Sequence, residues 1–265
     1  IDLENCNLEI VQSLAKWKRN ALSVYNFDAE YGLYTDMNAI RPFEELDNIH
    51  SLYVDQWDWE RIIKKEDRNL DYLKEVVRKI YKALLITEKV VEKAYPILSI
   101  SLPEDIAFIS TTELEAMYPN LTSKEREDAI TKKYKAVFIY QIGWPLPSGN
   151  PHDGRAADYD DWNLNGDILF WYDELNISLE ISSMGIRVDQ DSLVKQIKHK
   201  KEEYKLETPY AVDVLNNNLP LTIGGGIGQS RMCMFFLKKA HIGEVQASVW
   251  PKDEIELMRK NNIHL

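Results

Sequence analysis

The run Gly224-Gly225-Gly226-Ile227-Gly228-Gln229-Ser230-Arg231 fits the pattern GxGxGxxR. It has no Lys-Ser/Thr to close a Walker loop, and Gln229 stands where a Rossmann fingerprint needs its third glycine. What remains is a glycine strand entering a helix, with an arginine one turn in. Residues without Cβ let a flat ring come close to the backbone. An arginine at a helix start adds its guanidinium to the helix dipole, and both favour phosphate. The pattern points to adenylate chemistry, with a tight turn ahead of a packed helix as the alternative reading.

Other charges are spaced to act with it. In Tyr53-Val54-Asp55-Gln56-Trp57-Asp58-Trp59-Glu60, strand alternation puts Gln56, Asp58 and Glu60 on one face and Trp57 and Trp59 on the other. The polar face can grip a cationic amino group, or it can simply face water. Arg41 ends the preceding strand. Asp167 and Glu180 fall on two neighbouring strands, where a divalent cation such as Mg²⁺ would relieve their repulsion, surface acids being the alternative. Arg187 follows a strand read as ending in a glycine turn at Gly185, so its guanidinium can fork onto a carboxylate, with Lys18 as a second positive point. His152, Asp153, Asp158, Asp160 and Asp161 crowd one loop and read mostly as solvated acids. No Ser/His/Asp arrangement emerges from the spacing.

The elements that must hold these residues alternate in period. Helical spacing is expected from Leu8 to Leu22, and strands from Leu33 to Ile40 and Ser51 to Trp59 as an antiparallel pair joined through Arg41–His50. A long scaffold helix is marked by Leu70, Leu73, Val76, Val77, Ile80, Leu84, Val90 and Val91. Short strands at Ile106–Ser110 and Ala136–Ile142 flank a polar helix starting near Ser123, and the proline-rich Gly143–Pro151 is a loop. Strands at Asp167–Trp171 and Ser178–Ser183 follow, then helices at Asp191–Tyr204 and Val212–Asn217, and finally the glycine strand and its helix. With no repeat and no low-complexity linker, residues 1–265 read as a single catalytic domain of α+β class, an antiparallel sheet flanked by helices.

Composition narrows the partners. Hydrophobic residues make up 45% of the 265, enough for a full core, and the net charge of −11 repels long nucleic acid. Cys6 and Cys233 have no CxxC or Cys/His spacing, which argues against a disulfide framework and a thiolate zinc site and suits a reducing compartment. No window reaches the roughly eighteen apolar residues of a membrane span, so the chain is expected to be soluble and cytoplasmic, with no membrane or nucleic-acid partner.

Several strings together carry a resemblance. Ser13-Leu14-Ala15-Lys16-Trp17-Lys18-Arg19, Gly32-Leu33-Tyr34-Thr35, Tyr53 to Glu60, Asp158-Tyr159-Asp160-Asp161-Trp162, Leu164 to Leu169, Ser182 to Asp189 and the glycine run closely resemble the ammonia-dependent asparagine synthetases, or aspartate-ammonia ligases, across nearly the whole chain. The resemblance implies a class II aminoacyl-tRNA synthetase-like catalytic core that forms a homodimer, with Arg41 in a motif 2 hairpin and Arg231 in motif 3. It implies two steps: ATP adenylates the side-chain carboxylate of L-aspartate and releases pyrophosphate, and ammonia then displaces AMP to give L-asparagine. Arg41, Arg231 and Lys18 are the implied catalytic residues. Lys18, Gln56, Asp58, Ser183 and Arg187 would bind aspartate, Lys18 and Arg187 holding its α-carboxylate and Gln56 and Asp58 its amino group. Arg41, Gly224, Gly225, Gly226, Gly228 and Arg231 would bind ATP, and Asp167 and Glu180 would hold Mg²⁺.

The chain also departs from the family pattern. Members carry a motif 1 segment ahead of the position of Lys18, including an aspartate of the amino-acid pocket, and a longer loop where Asn163 alone joins Trp162 to Leu164. The motif 1 segment is therefore expected to be missing from this chain. Two other functions compete: a class II synthetase that passes its adenylate to tRNA, and a catalytically inactive relative that only binds nucleotide or amino acid. Five charges at Arg41, Asp167, Glu180, Arg187 and Arg231 argue against the inactive relative, and the acidic balance argues against tRNA.

Overall fold

The computed structural model describes residues 2–3, 6–7, 11–43, 45–99 and 101–265. Two short strands, β1 (Asp2–Leu3) and β2 (Cys6–Asn7), pair antiparallel ahead of helix α1 (Ala15–Val24). The helix expected from Leu8 begins only at Ala15: residues 11–14 are non-helical, and 8–10 lie outside the described residues. In α1 the buried face is unusually polar, with Lys18 and Arg19 sealed inside while Trp17 is half exposed. Arg19 explains its own burial, donating to the carbonyls of Pro220 (2.9 Å) and Val188 (2.8 Å) and so tying α1 to distant chain.

Strands β3 (Gly32–Ile40) and β4 (Tyr53–Ile62) form the expected antiparallel hairpin. Helix α2 (Leu70–Ala94) follows, started by Asn69, whose side chain accepts from the Tyr72 amide at 2.9 Å. Its stripe buries Leu73, Val76, Val77 and Leu84 as expected, but Val90 is 62% exposed, because it falls off the stripe onto the face of exposed Ile86 while Val91 still packs on the core. Next come β5 (Ala107–Ser110), α3 (Thr111–Met117), α4 (Ser123–Tyr134) and β6 (Ala136–Tyr140). The start of α4 is set by a capping box of Thr122 and Glu125 rather than by Ser123. The long strands β7 (Asp160–Tyr172) and β8 (Ile177–Arg187) then precede α5 (Gln190–Lys200), α6 (Pro209–Leu215), β9 (Thr222–Gly228), α7 (Gln229–Phe236) and α8 (Lys252–Lys260).

Seven strands make one sheet in the order β3-β4-β9-β8-β7-β6-β5, antiparallel throughout except for the parallel edge pair β5-β6. β7 runs unbroken through Trp162–Leu164, with a register shift against β8 between Asp160 and Asn165. β8 likewise passes straight through Gly185 to Arg187, so there is no glycine turn there. The largest apolar cluster packs α2 and α7 against one face through Leu73, Val77, Phe138, Phe170, Ile223 and Phe235. At the β5-β6 edge, α3 and α4 cover the other face through Leu114, Ile130, Val137 and Ile139. That leaves the middle of this second face to polar residues. Among the described residues no helix is long and apolar enough to cross a membrane.

Candidate active site

Sheet register lines up the polar residues. Asp58 pairs with Gly226, Gly226 with Ser183, and Ser183 with Asp167, one row across β4, β9, β8 and β7. Opposed residues of antiparallel strands share a face, so this row puts a proposed amino-group ligand and a proposed metal ligand on one surface. Gln56 opposite Gly228 and Glu60 opposite Gly224 form the flanking rows. The absence of a side chain leaves room for specific neighbours at two of these positions. A Cβ on Gly224 would strike the Glu60 carboxylate and Arg187 Nη2, and one on Gly226 would meet Gln56 Oε1 at 2.5 Å. Gly224 thus lies beneath side chains of neighbouring elements rather than beneath an open ring site. Gly225 points to the opposite face, against Met184.

Burial inverts the usual alternation of β4. Asp58 and Glu60 are 4% and 1% exposed, whereas Trp57 is 41% exposed. The polar face is not the solvated one, because it is charge-matched from within. Arg187 forks onto Glu60, with Nε 3.0 Å from Oε1 and Nη2 2.7 Å from Oε2, and its Nη1 also donates to Asp160. Lys18 Nζ donates to Asp58 and to the Trp59 carbonyl (2.9 Å), with Glu60 Oε2 3.9 Å away. Burial and the nearby Arg187 pull the Lys18 pKa down against the pull of Glu60 and Asp58. Burial alone would push Glu60 up, but Arg187 and Lys18 hold it below the usual glutamate value. Asp160 goes the other way, raised by burial despite Arg187. Two cations and three acids therefore share one desolvated cluster, a setting able to recognise a zwitterion by exchange of partners.

Beside this cluster two cavities meet. The first, about 200 Å³, is lined by Arg41, Gln56, Gly226, Gly228, Glu180 and Arg231 among others. The second, about 550 Å³, shares His50, Glu180 and Arg231 with it and adds Asp167, His152 and Lys124. Both sequence-predicted phosphate arginines, Arg41 and Arg231, thus face the first cavity, and Arg231 Nη1 donates to the Glu180 carbonyl at 3.1 Å. At the helix start itself the amide of Ser230 is taken within the protein, donating to Asp55 Oδ1 at 3.0 Å. Asp55 supplies the negative charge that the start of α7 favours.

Asp167 and Glu180 do reach a common cavity. The Asp167 carboxyl is pushed up to about 7, first by burial and then by Glu180, with Arg155 opposing. Its Oδ1 is buried without a hydrogen-bond partner among the described residues. A buried, unpartnered carboxylate oxygen near a second acid fits a hard cation such as Mg²⁺, which needs only one or two protein carboxylates. Among the described residues no three His, Cys, Asp or Glu side chains gather into an all-protein cage.

The loop acids read as solvated are mostly buried. His152, Asp158, Asp160 and Asp161 are all at most 4% exposed, and only Asp153 faces solvent. Each buried acid has a basic partner from far along the chain: Lys16 for Asp158, Arg187 for Asp160 and Arg68 for Asp161, the last at 2.5 Å. Asp160 and Arg155 join the charged cluster and the acid pair although neither was assigned a role from sequence, and Glu60, read only as part of the polar face of its strand, becomes the partner of Arg187. Position 60 shares the period-two face of Gln56 and Asp58, which was the available signal.

A mostly antiparallel sheet bearing a charged site on the face left open by its helices defines the class II aminoacyl-tRNA synthetase fold. Asparaginyl-tRNA synthetase of Pyrococcus horikoshii complexed with asparaginyl-adenylate superposes with a TM-score of 0.64 at 16% identity, covering 91% of this chain and 57% of that one. Aspartyl-tRNA synthetase of Entamoeba histolytica gives 0.64 at 18% identity, covering 89% and 50%. The chain therefore spans little more than half of such synthetases, and the likeness is one of fold. Sequence is more specific: the aspartate-ammonia ligase family model matches residues 1–262. The aspartate–ammonia ligase of Clostridium tetani is 63% identical over 256 residues, covering 97% of this chain and 75% of that protein. That of Bacillus cytotoxicus is 61% identical over 258 residues, covering 97% and 79%. The chain belongs to the aspartate-ammonia ligase family.

Proposed function

We propose that this enzyme makes L-asparagine by activating the β-carboxylate of L-aspartate with ATP and transferring the acyl group to ammonia, with AMP and pyrophosphate as the other products. The observation that supports this reading is the row Asp58–Gly226–Ser183–Asp167, which puts on one sheet face residues read as amino-acid ligands and a residue read as a metal ligand, beside the cavity lined by Arg41 and Arg231. In the first step a β-carboxylate oxygen attacks the α-phosphorus and the bond to the pyrophosphate oxygen breaks. In the second, the ammonia nitrogen adds to the acyl carbon, the AMP oxygen leaves with the bonding pair, and the nitrogen gives up one proton to solvent. Arg187 and Lys18 hold the α-carboxylate, Gln56 and Asp58 receive the α-amino group, and Ser183 lies between them and the phosphates. The β-carboxylate is thereby aimed toward the nucleotide, and positioning of this kind removes much of the entropic barrier.

Arg41 and Arg231 neutralise charge that builds on the phosphate oxygens. Gly226 and Gly228, which line the smaller cavity, floor the nucleoside. Asp167 and Glu180 would hold Mg²⁺, which supplies charge neutralisation for nucleotide phosphates when bound. The family resemblance further leads us to expect a cytoplasmic homodimer, which light scattering on purified protein tests.

The deciding experiment measures AMP formation from ATP and aspartate while ammonium, glutamine and tRNA are varied in turn. AMP release that rises with ammonium and ignores tRNA is the expected result. Efficient use of glutamine, or tRNA-dependent turnover, would reject the proposed acceptor.

A further inference from the structure

Arg155 stands at the acid pair without being fully committed to it. Its Nη2 donates to Asp167 Oδ2, and its Nη1 lies 3.3 Å from Asp153 Oδ2. After Asp167, the acid whose field it feels most strongly is Glu180. Arg155 engages only Oδ2 of Asp167; Oδ1 stays buried with no hydrogen-bond partner among the described residues, though the Ser183 hydroxyl on the neighbouring strand lies close enough to steady the carboxylate. Arg187 is the contrast within the same molecule: it takes both oxygens of Glu60 and is 3% exposed. A guanidinium fully engaged by a carboxylate of its own protein forks in that way. Arg155 touches one oxygen of a proposed metal ligand and shares itself with a solvent-facing acid.

The chain around Arg155 is anchored at its ends, where Trp162 Nε1 donates to the Ala156 carbonyl at 3.1 Å and His152 Nε2 lies 3.1 Å from Glu127, and is open between them. His152 and Ala157 are buried at 4% and 0%, while Asp153, Gly154 and Ala156 between them are exposed. A Cβ at Gly154 would meet nothing within 4 Å, so the bow has open space about it. Beyond Ala157 the same chain runs into Asp160, which grips Arg187 in the amino-acid cluster.

We propose that the Arg155 guanidinium is a stand-in cation that neutralises Asp167, beside the place of the divalent ion, in the nucleotide-free enzyme and is displaced when the ion arrives. Its release frees the 153–156 bow and thereby links filling of the nucleotide site to the strand that holds Asp160. This rests on the reading of Asp167 and Glu180 as metal ligands.

The test titrates Mn²⁺ in the absence of nucleotide, with free ion followed by electron paramagnetic resonance, in wild type, Arg155→Met, Arg155→Lys and Asp167→Asn. Removing a competing charge-assisted contact should tighten Mn²⁺ binding by Arg155→Met roughly tenfold, since such a contact is worth about one decade or more. Arg155→Lys, which keeps the charge, should stay near wild type. Binding by Arg155→Met that equals or falls below wild type overturns the inference alone. Equal binding by Asp167→Asn and wild type overturns the metal site and the inference with it. Should Arg155→Met fail to fold, hydrogen exchange on the wild type decides: saturating Mn²⁺ must raise exchange in residues 153–156, and unchanged exchange refutes displacement.

Discussion

Arg187 and Glu60 meet side on across β8 and β4, Nε to Oε1 at 3.0 Å and Nη2 to Oε2 at 2.7 Å, directly over the missing side chain of Gly224. Neither partner reaches solvent to any useful degree. Removing one member of such a pair leaves the other charge buried, which costs about 3–5 kcal/mol. Glu60→Ala should therefore lose stability of that order in urea unfolding. A loss under about 1 kcal/mol would mean that Asp160 alone satisfies Arg187.

The glycines of β9 should separate into two classes. A Cβ at Gly225 would lie 2.6 Å from the Ser183 carbonyl and 2.5 Å from Met184 Cβ, both fixed by the sheet. At Gly226 it meets only the far end of Gln56. Gly225→Ala is expected to cost about 1–3 kcal/mol by overpacking. Gly226→Ala should fold normally and raise the aspartate KM by displacing Gln56. Thermal melts and initial-rate kinetics check the pair, and equal stability losses would contradict the assignment of faces.

Arg231 lines both cavities and is held by the Glu180 carbonyl. If it stabilises charge on the phosphates, Arg231→Ala should slow aspartate-dependent ATP–pyrophosphate exchange by about 10²–10³-fold, the usual loss for one preorganised donor. The aspartate KM should change little. A change confined to KM would move Arg231 out of the phosphate role.

His241 gives the pH prediction. It is fully buried, its Nδ1 accepts from the Gly243 amide at 3.0 Å, and its Nε2 lies 3.3 Å from Glu254. Burial pulls its pKa below the ordinary 6.5, against the opposing pull of Glu254 and, more weakly, Glu244 and Asp47. Below pH 6.5 the unfolded chain takes up a proton that the folded ring resists, because that proton would sit on the nitrogen Gly243 already uses. Stability is thus intact above 6.5 and falls as the pH drops below it. Urea midpoints measured across that range should decline for wild type and flatten for His241→Asn; parallel slopes would clear His241 of the effect.

Much of this architecture could be read from residue order, and the exceptions are physical. The β3–β4 hairpin and α2 follow from strict two-residue and three-to-four-residue periods, which local sequence reports directly. α3 escapes a periodicity reading although Ser110 and Glu113 form a capping box at its start, since only seven residues follow. β7 and β8 outran their expected ends because strands buried on both faces lose alternation. The period-two rule grouped Gln56, Asp58 and Glu60 correctly but could not say which face is covered, as covering is done by remote elements. The same limit hid Asp160 and Arg155. Asp160 acquires its meaning from Arg187, 27 residues on, and Arg155 from Asp167 on a strand that doubles back.

β9 is the last strand in chain order, yet it sits between β4 and β8. A ribosome releasing this chain from its N-terminus thus finishes the two flanking strands long before the piece that joins them. Until Thr222–Gly228 emerges, β4 and β8 each present an unpaired edge, the kind of template on which other chains add. Joining them then requires closure of a long intervening loop, a slow step in folding. Chains clipped ahead of Thr222 are therefore expected to aggregate through the two edges this one strand would have covered.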